Sequence, residues 1–251
     1  MSALIVGTGD TTELFLQRLP PSYLLIDDGT LADTIPFPKR RRITFLDFNK
    51  HSFNPLARID YERASRFVDV IKQVFPGGEN TLTKQNTGII ILQALLDSPR
   101  HLSTLIQKDK ETLDAYNKIQ RLLLSPVLKR FLTKPTNFPL KGILVARMSG
   151  LTDFDRFVIG NILIANYQGH IVVPDFGFYA CPFHRSLTDR LIAGVKFLDE
   201  LSPALRRAAL LIPDKTPCRT TTEDAETLAD YAGIPRGINE RQEFIQRAIG
   251  A

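Results

Sequence analysis

Short, uninterrupted apolar runs spaced by helix-length segments constrain this chain more than any other feature. Ala3-Leu-Ile-Val6, Tyr23-Leu-Leu-Ile26, Ile43-Thr-Phe-Leu46, Gly142-Ile-Leu-Val-Ala146, His170-Ile-Val-Val173 and Leu191-Ile-Ala-Gly-Val195 show no apolar–polar alternation. A strand apolar on both faces must be covered on both, so these runs predict an α/β fold whose mostly parallel sheet is covered by helices. One more strand is expected at 208–212. Between the runs, apolar residues at one-face spacing predict helices at 12–19, 61–75, 83–96, 111–124, 127–131, 155–165 and 223–232. The first is stopped by Pro20-Pro21 and the second by Pro76-Gly-Gly78. The expected organisation is a single α/β domain over residues 1–251 with a helical insertion at about 57–140.

A length of 251 residues suits one large domain or two small ones. With 43% hydrophobic and 24% charged residues the chain has ordinary globular composition, which excludes wholesale disorder. Cys181 and Cys218 are the two cysteines, too few for a disulfide framework or a thiolate zinc site. That fits a reducing, cytoplasmic setting. The start has no basic region ahead of an apolar core, so no signal peptide is expected. No apolar run approaches the ~20 residues of a membrane span. The net charge of +5 permits a polyanionic partner without requiring one.

The front end reads strand, glycine turn, helix, which is where α/β proteins place phosphate on backbone N–H groups. Two versions of that site compete. A dinucleotide fingerprint asks for Gly-x-Gly-x-x-Gly and an acid about 20 residues on. Gly7, Gly9 and Asp27 meet that spacing, but Thr12 stands at the third glycine. A P-loop asks for Gly-x-x-x-x-Gly-Lys-Ser/Thr, because the lysine reaches the β- and γ-phosphates and the hydroxyl binds Mg²⁺. Gly7-Thr-Gly-Asp-Thr-Thr-Glu13 has the hydroxyls and no lysine, and it adds the carboxylates of Asp10 and Glu13. The loop alone leaves both readings open. Gly7, Thr8, Gly9, Asp10, Thr11 and Thr12 are the candidate nucleotide-binding residues.

Asp175, just past the run His170–Val173, is placed to hold Mg²⁺ at a strand's C-terminal end, or simply to cap the turn that follows. His170, His184 and Cys181 lack metal-ligand spacing, so no metal site is assigned to them. There is neither a Gly-x-Ser-x-Gly elbow nor a His-Glu-x-x-His motif. The run Lys39-Arg40-Arg41-Arg42 is the candidate for contact with nucleic acid, a solvated basic loop being the plainer alternative.

The order of the segments carries a further signal. Leu25-Ile-Asp-Asp-Gly29 and Phe45-Leu-Asp-Phe48 end successive strands, and Phe53-Asn-Pro-Leu56 precedes the helices of 63–105. Residues 135–149 lead into Ile143-Leu-Val-Ala-Arg-Met-Ser149, followed by the helix at 155–165. Ile171-Val-Val-Pro-Asp175, Lys196-Phe-Leu-Asp-Glu-Leu-Ser-Pro203, Arg219, Glu223-Asp-Ala225 and Leu228-Ala229 complete the series. In this order, over about residues 3–235, the chain resembles the motor domain of the FtsK/HerA superfamily of P-loop ATPases. The resemblance is to the conjugative coupling-protein (TraD/TraG-type) branch and DNA-packaging relatives. It implies a RecA/HerA-like P-loop NTPase fold, ATP with Mg²⁺ as cofactor, homo- or hetero-oligomeric assembly in rings, and DNA as a partner. It places Asp175 at the Walker B position and Lys196 at the sensor position. Arg147, Arg185 and Arg219 become candidates for a subunit interface or an arginine finger. Because the first strand begins at residue 3, the family's membrane helices and small β-rich domain are not expected here.

The departures fall at the chemistry. The phosphate lysine is missing, Phe176 follows Asp175 where the family carries a glutamate, and Lys196 replaces the sensor glutamine. Losing all three removes charge stabilisation and water orientation together. The leading expectation is therefore a non-hydrolysing relative of a DNA-translocating ATPase, acting as a subunit or scaffold in a DNA transfer or packaging assembly of a mobile element or virus. ATP and Mg²⁺ then become doubtful cofactors. The alternatives are an active, divergent ATPase using Lys196 or a partner's arginine, and a dinucleotide-binding oxidoreductase using Gly7, Gly9 and Asp27.

Overall fold

The computed structural model describes residues 2–29, 31–35, 43–57, 59–75, 81–97, 101–235 and 239–250, with the backbone alone at 81–84. In chain order the elements are β1 (Ala3–Val6), α1 (Thr12–Leu16), β2 (Tyr23–Asp27), α2 (Leu31–Thr34), β3 (Ile43–Leu46), α3 (Tyr61–Val74) and α4 (Thr81–Leu96). Then come α5 (Leu113–Leu124), α6 (Pro126–Thr133), β4 (Ile143–Arg147), α7 (Asp153–Asn166), β5 (His170–Val173) and α8 (Phe176–Tyr179). The series ends with β6 (Leu191–Val195), α9 (Pro203–Leu210), β7 (Asp214–Pro217), α10 (Thr222–Tyr231) and α11 (Asn239–Gly250). Two compact units form: residues 1–45, 141–149 and 167–251 make the first, residues 46–140 and 150–166 the second.

The first unit is built on a seven-stranded sheet in the order β3-β4-β2-β5-β6-β1-β7. The pairs β1–β6, β1–β7, β2–β4, β2–β5 and β5–β6 are all parallel. The α/β fold expected from the apolar runs is the one observed. β1, β2 and β6 are buried along their whole length, as strands covered on both faces must be. Leu25, Val145, Val172 and Ile192 from four strands share one apolar cluster with Phe15 of α1 and Leu31 of α2.

The edge strand β7 differs from the expectation. Residues 208–212 are not a strand: Ala208 to Leu210 end α9, which begins with Ser202 at its cap and Pro203 in its first turn. Proline at that position has no N–H to waste, and the alanines and leucines that follow are good helix formers. The strand is instead Asp-Lys-Thr-Pro at 214–217, half-buried throughout. An edge strand needs one apolar face at most and tolerates Pro217. Arg18 holds it, with Nε 2.7 Å from Asp214 Oδ2 and a terminal nitrogen 2.8 Å from Thr216 Oγ1. α1 also ends at Leu16, three residues short of its expected end.

The second unit is helical. α3 starts on Asp60, whose carboxylate accepts the Arg63 N–H at 2.8 Å, and it buries Ala64, Phe67, Val68, Val70 and Ile71. α6 starts on Ser125, whose hydroxyl accepts the Leu128 N–H, with Pro126 in the first turn. Phe131 meets Phe48 edge-on at 5.7 Å and lies 6.4 Å from Phe53. The Phe53-Asn-Pro-Leu56 segment is a turn, in which the Asn54 side chain accepts the Leu56 N–H at 2.9 Å. No described helix is long and apolar enough to cross a membrane.

Candidate functional site at the C-terminal edge of the sheet

In a parallel sheet, the loops beyond the strands' C-terminal ends form the crevice where ligands bind. Here β6 lies between β1 and β5, so the segments following these three strands converge. They enclose a cleft of about 330 Å³ lined by Gly7, Thr8, Gly9 and Thr11 after β1, Pro174 and Asp175 after β5, and Lys196 after β6. Candidate residues from three distant stretches of sequence are thus brought together. Asp175 is half-buried, and its side chain makes no capping bond to α8, so its place is in the cleft lining and not in a turn cap. Lys196 is exposed at the cleft mouth.

The glycine loop is held by its own chain. Gly7 N–H donates to Val195 O at 2.9 Å, Thr8 N–H to Arg219 O at 3.3 Å, and Gly9 N–H to Cys218 O at 3.1 Å. The Thr8 hydroxyl donates to the same Arg219 oxygen at 3.2 Å. Gly7 has φ +140°, and a Cβ there would fall 1.7 Å from Cys218 O, so glycine is required. Arg219 has φ +52°, the single non-glycine residue with positive φ among the described residues. That conformation costs about 1–2 kcal/mol for a residue with a Cβ.

At the end of the loop, Asp10 accepts the Thr12 N–H at 3.0 Å. The Thr12 backbone bond, then its hydroxyl, hold the Asp10 carboxyl below its ordinary value. Thr11 stands at the cap position of α1 without a capping bond, and the Asp10 carboxylate takes the Thr12 N–H at the start of the helix instead. Glu13 accepts from Gln17 along α1 at 3.2 Å and is not part of the cleft lining. A triphosphate would need the loop's N–H groups and a cation beside them. Three of those N–H groups are engaged by carbonyls, a fourth by a carboxylate, and the loop carries no lysine. Closed in this way, the loop as it stands does not fit a triphosphate, although Lys196 lines the same cleft.

One contributor was missed in the sequence. Glu200 Oε2 accepts the Lys196 N–H at 3.2 Å and lies so near Gly177 that a Cβ there would be 2.2 Å away. It joins the turn after β5 to the turn after β6. The spacing Lys196-Phe-Leu-Asp-Glu200 was the available signal, since a 3₁₀ turn at Leu198–Glu200 folds the carboxylate back onto the strand end.

Other candidates lie elsewhere. Arg147, at the end of β4, pairs with Asp33 at 2.6 Å and covers the Phe45 ring at 5.3 Å. Arg185 is exposed and bonds Pro182 O at 3.1 Å. Arg219 reaches the site through its carbonyl. Lys39, Arg40, Arg41 and Arg42 lie outside the described residues. His184 sits between the rings of Phe176 and Phe183, and its Nδ1 accepts the Cys181 N–H at 3.2 Å. No His, Cys, Asp or Glu cluster able to hold a metal occurs among the described residues.

The dinucleotide reading fails on geometry. That fingerprint needs the acid on a strand beside β1, yet β2 is separated from β1 by β5 and β6. At about 4.8 Å per strand, Asp27 is on the order of 14 Å away. Its buried carboxylate accepts the Leu31 and Ala32 N–H groups at 3.2 and 3.0 Å and so caps α2.

No protein-family model and no curated protein matches the chain's sequence. Solved structures do match. VirB4 of Thermoanaerobacter pseudethanolicus superposes with a TM-score of 0.62 at 13% identity, covering 97% of this chain and 83% of that one. The plasmid coupling protein TrwB in complex with a non-hydrolysable ATP analogue gives 0.56 at 10% identity, covering 90% and 73%. TrwB with a GTP analogue gives 0.57 at 12% identity, covering 92% and 74%. At such identities the likeness is one of fold alone: the chain shares the α/β, P-loop ATPase-like fold of VirB4 and TrwB.

Proposed function

We propose that the protein is a non-hydrolysing relative of DNA-translocating ATPases, serving as a subunit or scaffold in a DNA transfer or packaging assembly of a mobile element or virus. The observation that carries this reading is the occupied loop. Gly7, Thr8 and Gly9 spend their N–H groups on carbonyls of the same chain, where a phosphate site would leave them free. Phe176 beside Asp175 and the absence of a loop lysine support it, because transition-state charge then lacks the loop's own cation and the attacking water lacks the glutamate beside Asp175. The coupling-protein fold supports the DNA-transfer setting, and assembly into a homo- or hetero-oligomer follows from the same likeness. In that assembly Arg147, Arg185 and Arg219, all three exposed, are the candidates to meet a neighbour.

A second reading has its own observation. Lys196 and Asp175 line the same cleft as the loop, so a lysine from β6 stands where it could serve an active, divergent ATPase. Turnover of Mg-ATP by the purified chain, with and without DNA, decides between the two. The first reading expects none above background. Mg²⁺-dependent hydrolysis that is lost on Asp175→Asn or Lys196→Ala would overturn it in favour of the second.

A further inference from the structure

Gly7 is tied to Val195 of β6, but the contacts that hold Thr8 and Gly9 come from one short segment. β7 runs beside β1 as far as Pro217, and the Cys218 N–H continues the ladder by donating to Val6 O at 2.7 Å. The backbone then turns through Arg219 in the left-handed region, which aims two successive carbonyls at the loop. Cys218 O takes the Gly9 N–H, and Arg219 O takes both donors of Thr8. Carbonyl oxygens carry the partial negative charge that a phosphate oxygen would bring, and they meet the same N–H groups.

We infer that Cys218–Arg219 is a built-in strap that competes with phosphate for the loop, so that a phosphate-bearing ligand is admitted only when the strap withdraws. This rests on reading the cleft as a nucleotide site by descent. A ligand that needs a minor conformation binds with its affinity reduced by the fraction of molecules in that conformation. The control point is Arg219, because a change of its φ withdraws the carbonyl from both Thr8 donors at once. Glycine tolerates φ +52° better than arginine and tightens the strap, whereas proline is locked near −65° and cannot form it.

The test compares the full-length wild type with Arg219→Gly and Arg219→Pro by calorimetric titration of Mg-ATP. Arg219→Pro is expected to lower the Kd at least about tenfold relative to wild type, and Arg219→Gly to leave it equal or raise it. Thr8→Val removes the hydroxyl bond alone; it should move in the same direction by a smaller factor, and it keeps the test decisive if Arg219→Pro does not fold. Amide hydrogen exchange gives a second readout: Thr8 and Gly9 should be protected in the unliganded wild type and faster in Thr8→Val. The strap is overturned if wild type binds Mg-ATP as tightly as the Arg219→Pro and Thr8→Val variants, or if the Thr8 and Gly9 amides exchange like an open loop. The hydrolysis reading fails separately: a variant that gains binding and also turns over ATP supports the strap and overturns the non-hydrolysing function, whereas gain of binding without turnover supports both.

Discussion

Replacing Gly7 by alanine would put a Cβ 1.7 Å from the Cys218 carbonyl oxygen, on a backbone whose φ of +140° a side chain rarely adopts. The neighbour is backbone paired into a sheet, so it has little room to give. Strain of about 1–3 kcal/mol from the dihedral and about 1–3 kcal/mol from the clash add, for an expected loss near 3 kcal/mol or more in urea unfolding. A loss under about 1 kcal/mol would mean that the strap is not seated against the loop. At this scale the sequence was informative about the loop and silent about what closes it. Gly7-Thr-Gly9 announces a turn opening a helix, because glycine spacing is a local signal. The partner of Thr8 lies 211 residues away at Arg219, and no local pattern marks an arginine that will take a positive φ. Asp27 shows the opposite error: the right spacing for a ribose contact, spent on the N–H groups of α2.

The five interior strands β1, β2, β4, β5 and β6 were legible as apolar runs because burial on both faces leaves few polar positions. The edge strand β3 was legible from Ile43, Phe45 and Leu46 although it is only partly buried. β7 was not, since an edge strand is held by its partners. Its partner is Arg18, and the pairing fixes a pH dependence. The Arg18 hydrogen bond is the chief cause holding the Asp214 carboxyl below its ordinary value, with burial opposing it. A carboxylate whose folded pKa is depressed contributes stability that is present above its unfolded pKa and is lost as pH falls through the folded one. Asp214 is partly exposed, so the contribution after solvent screening is about 1 kcal/mol or less. Tm should therefore fall below about pH 4 more steeply in wild type than in Asp214→Asn, and the two curves should converge in acid. Parallel curves through that acid range would show that the Arg18–Asp214 bridge does not anchor β7.

For the whole molecule, the order of segments proved a better guide than any one motif, because the fold constrains where every strand must come while function constrains a few side chains. The same reasoning applies to charge. A net +5 spread over 251 residues gives little long-range pull. Four of the positive charges, however, are consecutive at Lys39, Arg40, Arg41 and Arg42, in the stretch of chain between Ile35 and Ile43. If that run contacts duplex DNA through phosphates, each neutralised phosphate contributes about 0.9 to the slope of log affinity against log salt. Replacing all four by alanine should then weaken binding at low salt and flatten the slope by up to 4 × 0.9, about 3.6. The loss should be alike for unrelated DNA sequences, since phosphate contacts position without reading bases. An unchanged slope would remove this run from any DNA interface and leave the basic balance without a local origin. A slope that flattens while the fold and Tm are kept would tie the charge to the polyanion, independently of whether the cleft ever admits a nucleotide.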